Sequence, residues 1–249
     1  MLPIRDENPT VHRSLMTFVI IIANVVVWAF VQGLGREAAL IDSICRFGLI
    51  PAAVLGKIPP GTMIQLGERV VCDVGSTAGW ASVVTSMFLH GGWMHIIGNM
   101  WFLAIFGDNV EEAMGSVRFT IFYIVCGLAA ASAQMYSGPD SVIPMVGASG
   151  AIGGIMGAYA LLYPMARVHM LVFLGFFITT IRIPAFLMLG YWFGLQLLSG
   201  FAGSTAGVAV WAHAGGFAAG LILARLFCNS ERLAECRERR KAYSQTQGG

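Results

Sequence analysis

Among the polar side chains that stand in apolar stretches of this 249-residue sequence, four have types that suit acyl-transfer chemistry. They are Ser149, His213, His95 and Asn99. A serine hydroxyl is a weak nucleophile until a base takes its proton, and histidine is the usual base. The tetrahedral intermediate then needs fixed donors for its oxyanion. His95, the Asn99 amide and the Ser149 backbone N–H at a helix start could supply them. Taken alone, Gly147-Ala148-Ser149-Gly150 is a weak motif, because small residues are common at packed membrane-helix contacts. It is not a G-x-S-x-G elbow either, since position 151 is alanine.

The elements that must position these residues follow from composition. The chain is 57% hydrophobic and 11% charged, against roughly 25% charged in soluble domains. That points to the membrane class. The net charge of +2 is too small to indicate a nucleic-acid partner. A spanning helix needs about 20 mostly apolar residues. Six segments qualify within the uncertainty of their ends: Leu15 to Val31, Trp93 to Phe106, Phe119 to Tyr136, Ala148 to Tyr163, Pro184 to Leu198, and Val208 to Phe227. The first is long for a signal-peptide core and has no small-residue cleavage site after it, so it is expected to stay. Val168 to Ile181 is apolar but short and bracketed by Arg167 and Arg182, which suits an interfacial or re-entrant piece better than a span. The expected fold class is therefore an all-α membrane protein, a six-transmembrane-helix bundle with a long external first loop from about 33 to 92. The domain plan is a tail over 1–14, a helical domain over 15–228 and a basic polar tail over 229–249.

Charge bias orients the bundle. With six spans, one side carries eleven Arg and Lys residues, six of them between Arg225 and Lys241, and the other carries four. The basic side is cytoplasmic, so both termini are expected there. The basic tail reads as a solvated helix or a contact to anionic lipid. Loops 137–145 and 199–207 then face outward, the latter rich in small residues. Asp108, Glu111 and Glu112, with Arg118 nearby, read as a solvated charged turn closing the second span. Trp80, Trp93, Trp101 and Trp211 read as interfacial anchors or packing.

Span parity carries the functional argument. Spans two, four and six all run from outside to inside, and each candidate lies near the start of its span. The fourth span is about 24 Å long at 1.5 Å per residue, against a hydrocarbon core of about 30 Å. Ser149 therefore begins about 6 Å below the outer surface, His213 lies about 8 Å down and Asn99 about 9 Å down. Three separate segments put polar groups in one shallow layer, where polar groups are costly and functional by default. His95 and Asn99 share a helix face at i, i+4. Ser149, Gly153, Gly157 and Ala160 form a stripe of small residues, and His213, Gly216, Gly220 and Ala224 form another. Such stripes let membrane helices approach closely. That would bring the Ser149 hydroxyl to the His213 ring.

At these residues the sequence resembles the rhomboid family of intramembrane serine proteases, of bacterial type with six membrane helices. The resemblance rests on His95-x-x-x-Asn99, Gly147-Ala148-Ser149-Gly150 and Ala212-His213-x-x-Gly216-x-x-x-Gly220. It implies Ser149 as nucleophile, His213 as general base, and oxyanion support from His95, Asn99 and the Ser149 N–H. It implies no cofactor and no metal. The implied partners are single-span or multi-span membrane proteins, cut near helix-destabilising small residues, and the lipid bilayer; the implied location is a bacterial inner (plasma) membrane. Several features depart from the family, among them the lack of an evident Asp as a third member and an apolar insert at 168–181 that lengthens the loop before span five. Some members carry an aromatic residue four positions after the nucleophile, packed on the base histidine; here that position is Gly153. The Trp-Arg pair often found in the first external loop is missing, since Trp80 is followed by Ala81.

Other readings stay open from the residues alone. One is a non-catalytic membrane chaperone or binding protein using the same groove. Another is a metal or haem protein using His90, His95 and His213, with His90 alternatively in a support role. The five cysteines show no C-x-x-C spacing. Cys45 and Cys72 fall in the same loop and would pair if it faces an oxidising compartment; the alternative is two free thiols.

Overall fold

A computed structural model describes residues 2–59, 61–65, 71–74, 77–174, 177–202 and 209–247. The helices are α1 (Leu15–Phe30), α2 (Glu37–Phe47), α3 (Pro51–Val54), α4 (Ser82–Thr85), α5 (Trp93–Met114), α6 (Ser116–Ser137), α7 (Ser149–Leu162), α8 (Ala185–Phe201), α9 (Val210–Phe227) and α10 (Ser230–Gln247). Short strands lie outside the bundle: β1 (Leu2–Asp6), β2 (Met63–Gln65), β3 (Val71–Asp73), β4 (Arg167–Leu174) and β5 (Phe177–Pro184). Each of the six apolar segments of the sequence is a helix: α1, α5, α6, α7, α8 and α9. Among the described residues, α6 and α9 are long and apolar enough to cross a membrane, and α1, α7 and α8 are shorter apolar helices. Part of the outward loop 199–207, residues 203–207, lies outside the described residues.

The outer surface of the bundle is apolar. Phe18, Ile22 and Val26 recur at every fourth position of α1 and are all exposed, as are Leu187, Tyr191, Leu195 and Leu198 on α8 and Ile222 and Leu226 on α9. A continuous apolar belt of this kind is stable against hydrocarbon, and all-helical backbone satisfies its own hydrogen bonds there. The chain is an integral membrane protein.

Inside that belt, α7 is the central helix. Every residue from Gly150 to Tyr159 is buried. Four of those are glycines, which each cost a helix roughly 0.5–1 kcal/mol relative to alanine. The cost is offset by close approach. A Cβ on Gly157 would overlap the Phe217 carbonyl, and a Cβ on Gly220 would overlap the Gly154 carbonyl. A Cβ on Gly216 would overlap the Gly150 carbonyl, whereas one on Gly153 would lie 3.1 Å from the His213 carbonyl oxygen. The small-residue stripes of α7 and α9 therefore face one another with backbone nearly touching backbone.

The cytoplasmic-side expectations need revision. The stretch 168–181 is an antiparallel hairpin, with Val168 opposite Ile183 and Leu171 opposite Thr180. β1 adds to it with Leu2 opposite Leu171 and Asp6 opposite Val168, giving a sheet in the order β1-β4-β5. An unbroken apolar run has no period to reveal this strand pairing. Asp108, Glu111 and Glu112 do not form a solvated turn, because α5 continues through them and Glu111 and Glu112 are buried. Glu111 accepts the N–H of Met16 (2.9 Å), and the N–H and hydroxyl of Thr17 (2.7 and 2.8 Å). Glu112 accepts the N–H of Val11 (2.8 Å) and His12 (2.9 Å) and pairs with Arg239 of α10 at 2.9 Å. Both carboxylates thus satisfy the orphan amides at and before the start of α1. Arg118 instead donates to the Cys228 carbonyl at 3.2 Å. The tail helix α10 is thereby tied to the bundle rather than fully solvated.

Asp6 closes this layer. It accepts from the Tyr159 hydroxyl at 2.5 Å and from the Asn109 side-chain amide at 3.2 Å. Burial pushes its carboxyl up to about 7, opposed by the Tyr159 hydrogen bond and reinforced by the charge of Asp108. On the other side of the bundle Cys45 and Cys72 form a disulfide with a Cα separation of 5.2 Å, joining α2 to β3.

Candidate active site

The close packing of α7 and α9 brings two of the sequence candidates together. Ser149 is the first residue of α7, and His213 lies in the first turn of α9. His213 Nε2 is 2.7 Å from Ser149 Oγ. Two backbone features set this geometry. Gly147 has φ +132, which side-chain-bearing residues rarely adopt, and a Cβ there would lie 2.8 Å from His95 Nε2 and 3.3 Å from Ser149 Oγ. Only glycine fits between the two. The start of α9 is pinned by Gln134 of α6, whose side-chain oxygen accepts the Ala212 N–H at 3.2 Å.

His95 and Asn99 lie one turn apart on α5, beside the same space. The Gly91 N–H donates to His95 Nδ1 at 3.1 Å. With Nδ1 accepting, a neutral ring carries its proton on Nε2, which points toward Gly147 and Ser149 as a donor. The Asn99 side-chain amide donates to the His95 carbonyl at 2.9 Å, leaving its second N–H available. A cavity of about 710 Å³ is lined by Ser149, His213, His95 and Asn99, together with apolar side chains such as Met94, Phe102 and Ile152. All four sequence candidates therefore border one cavity. Gly153, Gly157, Gly216 and Gly220 do not line it; they set the spacing of the helices that do.

His90 is fully buried just before α5, and its ring meets that of His95 edge-on at 5.2 Å. Burial, aided by the nearby His95, pushes its pKa down to about 3, so the ring is neutral. His90, His95 and His213 do not converge as a ligand set: among the described residues no group of three or more His, Cys, Asp or Glu has metal-holding geometry. His213 is engaged by hydrogen bonds at both ring nitrogens.

Two residues at the site escape the sequence reading. Gln196 of α8 places its side-chain oxygen 2.9 Å from His213 Nδ1. Trp192, one turn earlier on α8, sets its ring 5.8 Å from the His213 ring at an interplanar angle of 36°. Both reach the His213 ring from α8. The sequence carries a signal for Gln196, a polar residue in the otherwise apolar segment Pro184 to Leu198, two residues from its end.

The arrangement places a hydroxyl within hydrogen-bond reach of an imidazole, beside side-chain and backbone N–H groups, which are the group types that acyl transfer requires. The family model for the Rhomboid domain matches residues 77–230, which includes every residue named in this cavity. Among similar proteins, RHOMBOID-like protein 5 of Arabidopsis thaliana is 31% identical over 127 residues, covering 49% of this chain and 40% of that protein. Rhomboid protease GluP of Bacillus subtilis (strain 168) is 34% identical over 117 residues, covering 47% of this chain and 22% of that protein. The putative rhomboid protease YdcA of the same bacterium is 31% identical over 80 residues, covering 32% of this chain and 40% of that protein. The chain spans well under half the length of the first curated relatives it matches.

Proposed function

Because the chain belongs to the rhomboid family, we propose that it is an intramembrane serine endopeptidase that hydrolyses peptide bonds of transmembrane substrates with a Ser149–His213 dyad. The observation that carries this reading is the 2.7 Å contact between Ser149 Oγ and His213 Nε2 at the edge of a cavity within an apolar bundle. The naming of two relatives as rhomboid proteases supports it.

In the proposed mechanism, Ser149 Oγ attacks the scissile carbonyl while its proton passes to His213 Nε2. The carbonyl oxygen becomes an oxyanion and is held by His95 Nε2–H, the free N–H of Asn99 and the Ser149 backbone N–H. The imidazolium then gives its proton to the leaving amine as the C–N bond breaks. Water, deprotonated by His213, cleaves the acyl-enzyme ester and restores the serine. His90, held neutral beside His95, acts as packing support.

The proposed setting is a cell membrane with both termini cytoplasmic and the cavity open toward the outside. The charge bias supports that orientation, and the Cys45–Cys72 disulfide supports an oxidising compartment for the first loop. The proposed domain plan keeps 15–228 as the protease domain, with the two tails packed on its cytoplasmic face. The proposed partners are membrane-spanning substrates with helix-destabilising small residues near the cut.

The test is cleavage of a single-span substrate by purified protein in vesicles, compared with Ser149→Ala and His213→Ala. Loss of product in both is expected. Retained cleavage in Ser149→Ala would refute the dyad, and binding without cleavage by the unaltered protein would favour a non-catalytic chaperone.

A further inference from the structure

We propose that Gln196 is the positioning residue of the dyad: its side-chain oxygen accepts the Nδ1–H of His213 and fixes the tautomer whose Nε2 lone pair faces the Ser149 hydroxyl. The inference rests on the proteolytic reading above. Its starting point is that a neutral imidazole has one donor nitrogen and one acceptor. The Nδ1 partner is a carbonyl-type oxygen 2.9 Å away, which carries no hydrogen. With that oxygen facing it, a neutral ring carries its proton on Nδ1. Nε2, 2.7 Å from Ser149 Oγ, is then the acceptor, and the hydroxyl proton points along the line of transfer. Without Gln196 the ring is free to place its proton on Nε2, where it opposes the hydroxyl.

The choice of an amide fits the site. A buried histidine base is commonly oriented by a carboxylate. A charged residue within a membrane helix is costly. A glutamine supplies the same acceptor without that charge. It also keeps the Nδ1 contact after the ring becomes an imidazolium, when a charge-assisted bond is stronger.

Placement on α8 has a consequence. Trp192 and Gln196 lie at i, i+4 on the face turned to α9, and Phe193 stacks on Phe217 at 4.6 Å. The buried residues of α8 are Ala185, Met188 and Leu189, all in its first five positions. Beyond them, this aromatic-and-amide face holds the outer half of α8 to α9. The base is thus correctly protonated only while α8 is seated, so α8 docking and dyad assembly are one event.

Two substitutions test this in the full-length protein reconstituted in vesicles. Gln196→Met keeps length and bulk but removes the acceptor, and Gln196→Glu keeps an acceptor at the same reach. For Gln196→Met, kcat is expected to fall about tenfold, the scale of one hydrogen bond, with KM changed less than twofold. Gln196→Glu is expected to return kcat to within about threefold of the unaltered protein. Nitrogen-15 NMR of histidine-labelled protein in micelles is expected to show His213 as the Nδ1–H tautomer, and mixed tautomers in Gln196→Met. Unchanged kcat in Gln196→Met, a Glu variant as slow as the Met variant, or an Nε2–H ring in the unaltered protein would each overturn the proposal. Ser149→Ala runs beside them. If it still cleaves, the proteolytic reading fails; if it is inert while Gln196→Met is unimpaired, only the role of Gln196 fails.

Discussion

Replacing Gly216 by alanine adds a single methyl group where α7 and α9 cross with backbone against backbone. The new Cβ would overlap the Gly150 carbonyl oxygen and lie 2.9 Å from the Gly150 carbonyl carbon and 3.4 Å from its Cα. All three atoms are backbone, so no side chain can swing aside. Non-bonded carbon atoms prefer separations of about 3.5–4.0 Å, so α7 and α9 must part by roughly 1 Å. Overpacking of this kind costs about 1–3 kcal/mol, which corresponds to a fall in Tm of about 2–12 °C for a chain of this size. The position makes the chemical effect larger than the stability effect. Gly216 lies one turn from His213, and Gly150 adjoins Ser149. A separation there stretches the 2.7 Å dyad contact past hydrogen-bond range. A misplacement of about 1 Å can cost about 100-fold in rate. The assay is substrate cleavage in vesicles alongside thermal unfolding in detergent. Gly153→Ala is the graded comparison, since its Cβ would meet the His213 carbonyl at 3.1 Å and needs only a few tenths of an ångström. Gly190→Ala is the control with the opposite sign. Nothing lies within 4 Å of its Cβ, and removing a helix glycine stabilises by about 0.5–1 kcal/mol. A Gly216→Ala protein with unaltered rate and Tm, or one no worse than Gly153→Ala, would refute the account of how α7 and α9 hold the dyad.

Two further outcomes follow from other parts of the molecule. Cys45 and Cys72 enclose a sequence separation of 27, for which loop-closure entropy gives about 3.5 kcal/mol. Cys45→Ser is expected to lower Tm, and a reductant is expected to lower the Tm of the unaltered protein but not of the variant; equal sensitivity in both would contradict the pairing. Asp6 is raised to about 7 by burial, so the folded protein holds its proton more tightly than the unfolded chain. Its contribution is full below the unfolded carboxylate range and is lost as pH rises through about 7. Asp6→Asn is expected to flatten the fall in Tm between about pH 4 and 7, and a fall of unchanged steepness would remove Asp6 as its source.

The sequence exposes the site more readily than its supports. Ser149, His95, Asn99 and His213 are visible because polar groups are rare in apolar helices, and span parity puts them at one level. The glycine stripes announce the α7–α9 contact because only small residues allow it. Gln196 of α8 and Gln134 of α6 obey the same rule, as amide side chains near the C-terminal ends of the helices that run the other way. Extending the depth argument to those spans finds them. The strands β1, β4 and β5 are a different matter. β4 and β5 come from an unbroken apolar run, and β1 from a tail whose partner lies more than 160 residues away in sequence. Glu111 and Glu112 look like a solvent-facing turn because nothing local shows that the N-terminal segment returns to cover them.

The central claim is that the Ser149 hydroxyl is made nucleophilic by His213. A fluorophosphonate probe reacts only with such a serine, so its adduct can be located by mass spectrometry of the full-length protein in micelles. One modified residue is expected, Ser149, with labelling abolished in Ser149→Ala and lost at least a hundredfold in rate in His213→Ala, about the lower bound of a general base's contribution. Labelling of a different serine, or labelling of Ser149 at the same rate without His213, would contradict it.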